Sequence, residues 1–470
     1  MFHSLGPSSA NASAATAGSG KRRGFHPRSA GLFRLGTAPA RRAPRCGHPG
    51  PERGHNPGNP SQPDRTVRNA GDVRDRVDYG AAMAAARRTD HPDLPVPMVR
   101  VQGPPAECGI GYGTVARDLI EANLDFYLRR FRNEAGLDAA AVRAAGAAFR
   151  EVTARHHPRV AEQLDGVAEG AGVRADEIYA LNARTELIYG RQRTPGTPAA
   201  AEAETGGCTS VGVLGTHTTN GHLLLGQNWD WHPDQRSVML LLATRDERGL
   251  TVLTLTEAGM LAKTGLNSAG VGVCVNMLGC DRDGLPADGT APGVPYHVLL
   301  RAALEGDSLA EALKAACRGT RNSSINLLLG QAAEGGGEIV DLELVPGDVG
   351  WLHPVDGLVT HANHLETGLP VYDTIKDWGG SSLFRSARAR RLLAARLAAG
   401  PLGESDLAAL FRDHASWPQS ICRHVDDRYP PAERAETVYS VLLDLDDRRL
   451  GIAAGPPCEH RYGWVDLTSC

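Results

Sequence analysis

Apolar residues recur at helical spacing in "TVARDLIEANLDFYLRRF" (114–131). The same period runs through "AAAVRAAGAAFREVTARHHPRVAEQLDGVAEGAG" (139–172), with stops near Pro158 and at Gly170–Gly172. "RADEIYALNARTELIYG" (174–190) reads as a further amphipathic helix, with Asp176 near its start. A loop rich in Pro, Gly, Ala and Glu follows, "RQRTPGTPAAAEAETGG" (191–207). Exposed loops of that kind are easily cut.

From Cys208 onward the period changes to that of strands. "CTSVGVLG" and "HLLLGQNWDW" flank "THTTNG", whose Asn220–Gly221 pair is a strong hairpin signal. "SVMLLLATR" and "LTVLTLTEAG" flank "DERG" as a second hairpin, and "GVGVCVNML" (270–278) is another strand. Helices are expected at "PYHVLLRAALEG", "SLAEALKAACRG" and "SLFRSARARRLLAARLAAG" (382–400), the last of them basic. Strands are expected at "SINLLLGQA", "GEIVDLELVPG" and "GLVTHANH", and a closing hairpin at 437–455. Hairpins flanked by helix pairs predict an α+β fold, antiparallel sheets covered by helices in an αββα layering. No repeat at solenoid periods is present.

The first hundred residues lack this patterning. Residues 1–63 hold nine Lys/Arg and one acidic residue, Glu52, in a background of Gly, Pro, Ser and Ala. Such a stretch buries too little surface to offset its ordering entropy, so residues 1–98 are expected to form a disordered extension. "KRRGFHPR" (21–28) has the look of a twin-arginine signal but lacks the apolar run that must follow. The composition also suits an organelle transit peptide, and Met83 and Met98 are alternative starts. Order is expected from Val99, where "VRVQGPPAECGIGYG" reads as strand, turn and helix entry. Residues 99–207 then form a helical part and 208–470 the strand-rich part.

The net charge of −4 gives no basis for binding nucleic acid, and no apolar run is long enough to span a bilayer. The nine cysteines form no CxxC pair, so neither a zinc site nor a disulfide framework is expected, and a cytoplasmic location is the default.

"ETGGCTSVGVLG" (204–215) places a thiol at the junction of the loop and the first strand. If the Gly207–Cys208 bond is cut, Cys208 gains a free α-amine whose ordinary pKa of about 7.7–8 suits a general base. One residue then supplies nucleophile and base. Gly207 fits the cut because it has no Cβ to obstruct attack on its carbonyl.

"LNARTE" (181–186), "GCTS" (207–210), "GQNWDW" (226–231), "TEAG" (256–259), "GLNSAGVGV" (265–273), "GVPYH" (293–297), "HANH" (361–364) and "SICR" (420–423) occur in this order. Together they resemble the acyl-coenzyme A:6-aminopenicillanic acid (isopenicillin N) acyltransferases, peptidase family C45, which are N-terminal nucleophile hydrolases. The resemblance spans about residues 99–465 and implies the four-layer αββα sandwich of that superfamily. It implies that Cys208 is the self-processing residue and nucleophile, with Gly207 on the other side of the cut. It further implies that Asp230 orients the amine or pairs with an arginine, that Asn363 lines the oxyanion hole, and that Arg423 lies near the nucleophile. Thr209 and Trp231 are expected at the substrate, although both also fit as strand and core residues, as does Trp229. His361 and His364 have no third ligand partner, so no metal is expected there. Cys274 and Cys422 read as core thiols.

Where the family pattern has an aromatic pair after the aspartate, this chain has Trp231–His232, which alters the acyl pocket. The pre-Cys208 loop is long, and the C-terminal "LTSC" is no peroxisomal address. The expected function is therefore an autoprocessed hydrolase or acyltransferase acting on amide bonds through a Cys208 thioester. Its partners are small acyl amides or thioesters, and its two fragments stay associated after cleavage. No cofactor is required, and acyl-coenzyme A is compatible as a co-substrate. The alternatives are coenzyme A-dependent N-acylation of a β-lactam-like or other amine, a papain-like protease with a histidine base and an uncut chain, and a non-catalytic binding module.

Overall fold

The computed structural model describes residues 85–190, 207–286, 292–377 and 380–469. The extension before residue 85 and the loop at 191–206 lie outside the described residues. The helical part comprises α1 (Pro105–Val115), α2 (Arg117–Ala135), α3 (Ala139–His156), α4 (Pro158–Ala171), α5 (Ala175–Asn182) and α6 (Arg184–Tyr189). The helix expected over 174–190 is broken at Ala183, where the backbone leaves helical angles and its N–H bonds back to Tyr179 and Ala180. Pro158 opens α4 at its first turn, where a missing N–H costs nothing. α1 and α4 touch backbone to backbone: a Cβ on Gly109 would lie 2.1 Å from the Gln163 carbonyl oxygen.

Among the described residues, fifteen strands form two sheets. They are β1 (Arg87–Thr89), β2 (Met98–Gln102), β3 (Gly207–Val213), β4 (Leu224–Trp231), β5 (Met239–Arg245), β6 (Thr251–Glu257), β7 (Thr264–Asn267) and β8 (Val271–Met277). There follow β9 (Ile325–Gln331), β10 (Glu338–Val345), β11 (Asp348–Leu352), β12 (Leu358–His361), β13 (Glu436–Asp444), β14 (Arg449–Ala454) and β15 (Gly463–Asp466). One sheet runs β1-β2-β5-β6-β7-β8-β9-β10-β11 and the other β12-β3-β4-β13-β14-β15. Each of these pairings is antiparallel except β2 with β5. The Asn220–Gly221 turn joins β3 to β4 with Gly221 at φ +78°, which glycine adopts at no steric cost.

The sheets pack face to face through Leu225, Leu241, Leu253, Leu266, Leu328, Val441 and Leu443. α1–α6 cover one outer face against Val99, Val101, Leu240 and Leu242. α7 (Tyr296–Leu304) and α8 (Leu309–Cys317) continue that layer over Val271, Val273 and Leu327. α9 (Ser382–Leu397) and α10 (Glu404–Leu410) cover the other sheet against Val211, Val213, Leu358 and Leu442. The layering is αββα, as the pattern implies. Because both sheets are covered on both faces, β3 and β4 are buried along their whole length.

Ordered structure starts ahead of Val99. β1 pairs with β2, and Val96 and Met98 are buried, so the extension expected over 1–98 does not reach residue 98. β1 is a short, largely exposed edge strand of sequence Arg-Arg-Thr. It therefore carries no hydrophobic period to betray it. No helix among the described residues is long and apolar enough to cross a membrane.

Candidate active site

Cys208 is the second residue of β3, opposite Trp229 of β4, while Gly207 is opposite Asp230. On the other side β12 pairs with β3 up to His361–Ser210. The same register carried two residues further brings Asn363 beside Cys208. There the Cys208 backbone N–H donates to Asn363 Oδ1 at 2.8 Å.

The orientation of the Asn363 amide is fixed by its partners. Arg385 Nη2 donates to the same Oδ1 at 2.6 Å, and Asn363 Nδ2 donates to the Met277 carbonyl at 2.9 Å. Two pure donors face one atom and a pure acceptor faces the other, so the flipped amide would lose all three bonds. Asn363 thus offers Cys208 an acceptor, while its Nδ2 donates a hydrogen bond to the Met277 carbonyl.

Arg385 comes from α9 and is almost completely buried. Its Nη1 donates to the Cys208 carbonyl and, at 2.8 Å, to Thr209 Oγ1, and its Nε donates to Ser381 Oγ at 3.0 Å. Alternation along β3 sends Cys208 toward the other sheet and Thr209 toward the α9 layer. Thr209 is therefore a partner of Arg385 and is not among the residues lining the cavity beside Cys208.

Asp230 accepts from Thr437 Oγ1 at 2.7 Å and faces Arg423 Nε at 3.7 Å. Burial raises its pKa, opposed by Arg423 and Arg385. A Cβ on Gly207 would lie 2.9 Å from Asp230 Oδ2 and 3.2 Å from Arg385 Nη2. The missing Cβ is thus what lets a carboxylate and a guanidinium approach Gly207 this closely. Arg423 also donates to Ser381 Oγ and reaches the site through Asp230. Lys263 and Arg385 both favour the charged form of the Cys208 thiol.

Cys208, Trp229, Trp231, Lys263, Arg184 and His297 line a tight cavity of about 20 Å³, together with Gly207, Asp230, Val275, Met277 and Tyr296, room for about one water. Trp229 and Trp231 stack at 6.1 Å between centroids, Lys263 Nζ lies 3.5 Å from the Trp229 ring centre, and Arg184 lies 4.8 Å from that of Trp231. Trp231 is therefore a wall residue of the cavity. Glu257 bonds both cations, Arg184 Nη2 and Lys263 Nζ, at 3.0 Å each. Burial alone pushes Glu257 up, but Arg184 and Lys263 outweigh it and hold the carboxyl well below the usual range. Burial lowers Lys263 to about 8 against the pull of Glu257. Burial, with Asp230, pushes the Cys208 thiol up, opposed by Lys263, a backbone hydrogen bond from Met277 and Arg385. The thiol is thus protonated at neutral pH and needs a base to attack.

A family model described as acyl-coenzyme A:6-aminopenicillanic acid acyl-transferase matches residues 216–459, just over half of the chain. The "acyl-coenzyme A:6-aminopenicillanic-acid-acyltransferase 40 kDa form" of Emericella nidulans is 30% identical over 367 residues, covering 76% of this chain and 92% of that protein. The chain belongs to this acyltransferase family. Among solved structures it is similar to a Caenorhabditis elegans ortholog of N-acylethanolamine-hydrolyzing acid amidase, with 16% identity, 51% of this chain, 93% of that chain and a TM-score of 0.37. Penicillin V acylase from Agrobacterium tumefaciens is similar at 14% identity, 56% of this chain, 86% of that chain and a TM-score of 0.37.

As a member of the acyl-coenzyme A:6-aminopenicillanic acid acyltransferase family, the protein is an enzyme. The family model begins after β3, so it takes in Asp230, Trp231, Asn363 and Arg423 but not Gly207, Cys208 or Thr209. In this family member His361 is buried against Glu343, its Nε2 2.9 Å from the carboxylate, and His364 Nδ1 bonds Ser382 Oγ. Cys274 packs in the core between the sheets. Reading the sequence missed Arg385, Lys263 and His297 as groups of the site. His297 stands in the "GVPYH" motif. Its Nδ1 donates to the Asn182 carbonyl at 3.1 Å, and burial, with Arg184 and Lys263, keeps the ring neutral.

Proposed function

We propose that the protein is an N-terminal cysteine hydrolase and acyltransferase, matured by cutting its own Gly207–Cys208 bond, that breaks carbon–nitrogen amide bonds through a Cys208 thioester. The observation that carries this reading is that one residue joins a buried thiol on a cavity to a backbone nitrogen held by Asn363 Oδ1.

In maturation the Cys208 sulfur adds to the Gly207 carbonyl, the C–N bond breaks, and the departing nitrogen takes a proton. Water then hydrolyses the thioester, leaving a Gly207 carboxylate and a Cys208 amine with a free thiol. Asn363 keeps its hold on that nitrogen, so the lone pair is aimed rather than free to rotate. In turnover the amine takes the thiol proton, sulfur attacks the substrate carbonyl, and the same proton leaves with the product amine. Lys263, cationic at neutral pH beside the thiol, supplies positive charge where the oxyanion develops. Water completes hydrolysis.

A second reading, coenzyme A-dependent N-acylation of a β-lactam-like or other amine, is favoured by the name of the fungal relative. It shares the thioester and differs in the acyl donor, acyl-coenzyme A, and in the acceptor, an amine in place of water. In either case the fragments stay together, since the helical part shares one core with Leu240, Leu242 and Ala258, and β2 pairs with β5. The free cysteines fit a reducing compartment such as the cytoplasm.

The test is a panel of N-acyl amides, followed by mass spectrometry of the denatured, quenched enzyme. The expected result is an acyl adduct on the peptide that begins at Cys208, lost in Cys208→Ala together with turnover. Amide turnover by Cys208→Ala sinks the proposal. An N-acyl product formed only with acyl-coenzyme A and an amine present selects the second reading.

A further inference from the structure

We propose that His414, Cys422, His424 and Cys458 bind one zinc ion, a structural site separate from the Cys208 cavity. The four side chains come from two loops. His414, Cys422 and His424 lie between α10 and β13, and Cys458 lies between β14 and β15. Their ligand atoms all fall within 4.8 Å of one another.

Four of the six edges between those atoms have the lengths expected of a tetrahedron around a metal. Zn–S bonds of about 2.3 Å and Zn–N bonds of about 2.0–2.1 Å require S–S, S–N and N–N edges of about 3.8, 3.6 and 3.3 Å. Here Cys422 Sγ and Cys458 Sγ are 3.6 Å apart, and His424 Nε2 is 3.6 Å from Cys422 Sγ and 3.2 Å from Cys458 Sγ. His424 Nε2 and His414 Nε2 are 3.3 Å apart. Two thiolates balance the charge of a divalent ion, and two sulfurs with two imidazole nitrogens favour zinc over the harder cations.

The surroundings are arranged as a ligand shell requires. With Nε2 turned to the cluster, His424 presents Nδ1 to the Glu459 carboxylate at 3.4 Å, which orients the ring and sharpens its basicity. The backbone of the ligand loop is tied down by Cys422 N–H to the Asp413 carbonyl and His424 N–H to the Pro418 carbonyl, both at 3.0 Å. Arg412 Nε, bonded at 2.8 Å to the Pro457 carbonyl, pins the two loops together beside the cluster.

The site has a consequence for the candidate active site. Arg423 lies between two of the ligands and faces Asp230 Oδ2, while Thr437 bonds both Arg423 N–H and Asp230. An ion on Cys422 and His424 fixes the backbone from which Arg423 reaches Asp230. Metal binding itself does not depend on the reaction assigned to Cys208.

The test uses the full, tag-free chain purified under reductant. Elemental analysis is expected to give one zinc per chain. X-ray absorption at the zinc edge is expected to show two sulfurs and two nitrogens at the bond lengths above. After chelation, Co²⁺ is expected to restore one equivalent with a thiolate charge-transfer band. Cys458→Ser, at an exposed position, is expected to weaken zinc binding more than 100-fold, and Glu459→Gln about 10-fold. If wild-type protein stripped and titrated under reductant takes up no stoichiometric zinc, the proposal fails, and no variant is needed to reach that result. It fails equally if Cys458→Ser binds zinc as tightly as wild type, or if Cys422 and Cys458 are found as a disulfide in protein isolated with its thiols blocked.

Discussion

The Asn363 carboxamide oxygen accepts the Cys208 backbone N–H at 2.8 Å, joining residues 155 positions apart. The bond makes Asn363 an anchor for the Cys208 nitrogen and, under the proposed cut, for the amine that replaces it. The two possible roles of this side chain, anchor and oxyanion donor, separate by substitution. Asn363→Ala is expected to slow both processing and turnover by about 10- to 100-fold, the worth of a hydrogen bond to a charged group. Asn363→Asp keeps an acceptor and has no N–H, so it is expected to retain turnover within about tenfold of wild type. A fall of about 10²–10³ in kcat for Asn363→Asp, with processing intact, would instead mark an oxyanion donor.

Arg385 holds the Cys208 carbonyl, Thr209, Asn363 and Ser381 from a buried position. Arg385→Met removes the cation that faces Asp230 and Asn363 together. It is expected to cost about 3–5 kcal/mol in denaturant unfolding and to block processing on gels. Arg423→Met, which reaches the site through Asp230, is expected to leave slow processing. Equal behaviour of the two variants contradicts this ordering.

Gly207 leaves room for Asp230 Oδ2 and Arg385 Nη2, which would lie 2.9 and 3.2 Å from the Cβ of an alanine there. Gly207→Ala is therefore expected to fold but to process at least tenfold more slowly, followed by the disappearance of the precursor band. Processing at the wild-type rate shows that these two groups need not approach Gly207 this closely.

His361 gives the fold a pH dependence. Burial lowers its pKa, but Asp341, Glu343 and Glu366 outweigh burial and raise it from 6.5 to about 9. A folded pKa above the unfolded one means a contribution fully present below about pH 6.5 and lost as pH rises through about 9. The thermal midpoint is expected to fall across that window, and His361→Gln to lower the midpoint at pH 6 while flattening the slope. An unchanged slope in His361→Gln assigns the dependence to another group.

Much of the layering was legible because covered sheets and amphipathic helices leave strong periods. β3 and β4 follow the "CTSVGV" and "NWDW" runs, and the motif order set Cys208, Asp230 and Asn363 on one site. The sequence left Arg385 hidden, because it is one of several arginines in "SLFRSARARRLLAARL", where a basic stripe reads as a solvent face. Lys263 and His297 meet the cavity only through the pairing of sheet and helix layers. β1 and β11 were invisible for want of an alternating apolar pattern. The cysteines at 422 and 458 gave no metal signal, because their histidine partners complete the set only when two loops meet.

The central claim is that Cys208 becomes a chain terminus. Intact mass of the purified, active enzyme, with N-terminal sequencing of its fragments, tests it most directly. The expected result is two associated chains, one ending at Gly207 and one beginning at Cys208, and an uncut precursor for Cys208→Ala. Full activity in a single polypeptide continuous through residues 207 and 208 would contradict it, since the thiol would then have no amine to take its proton.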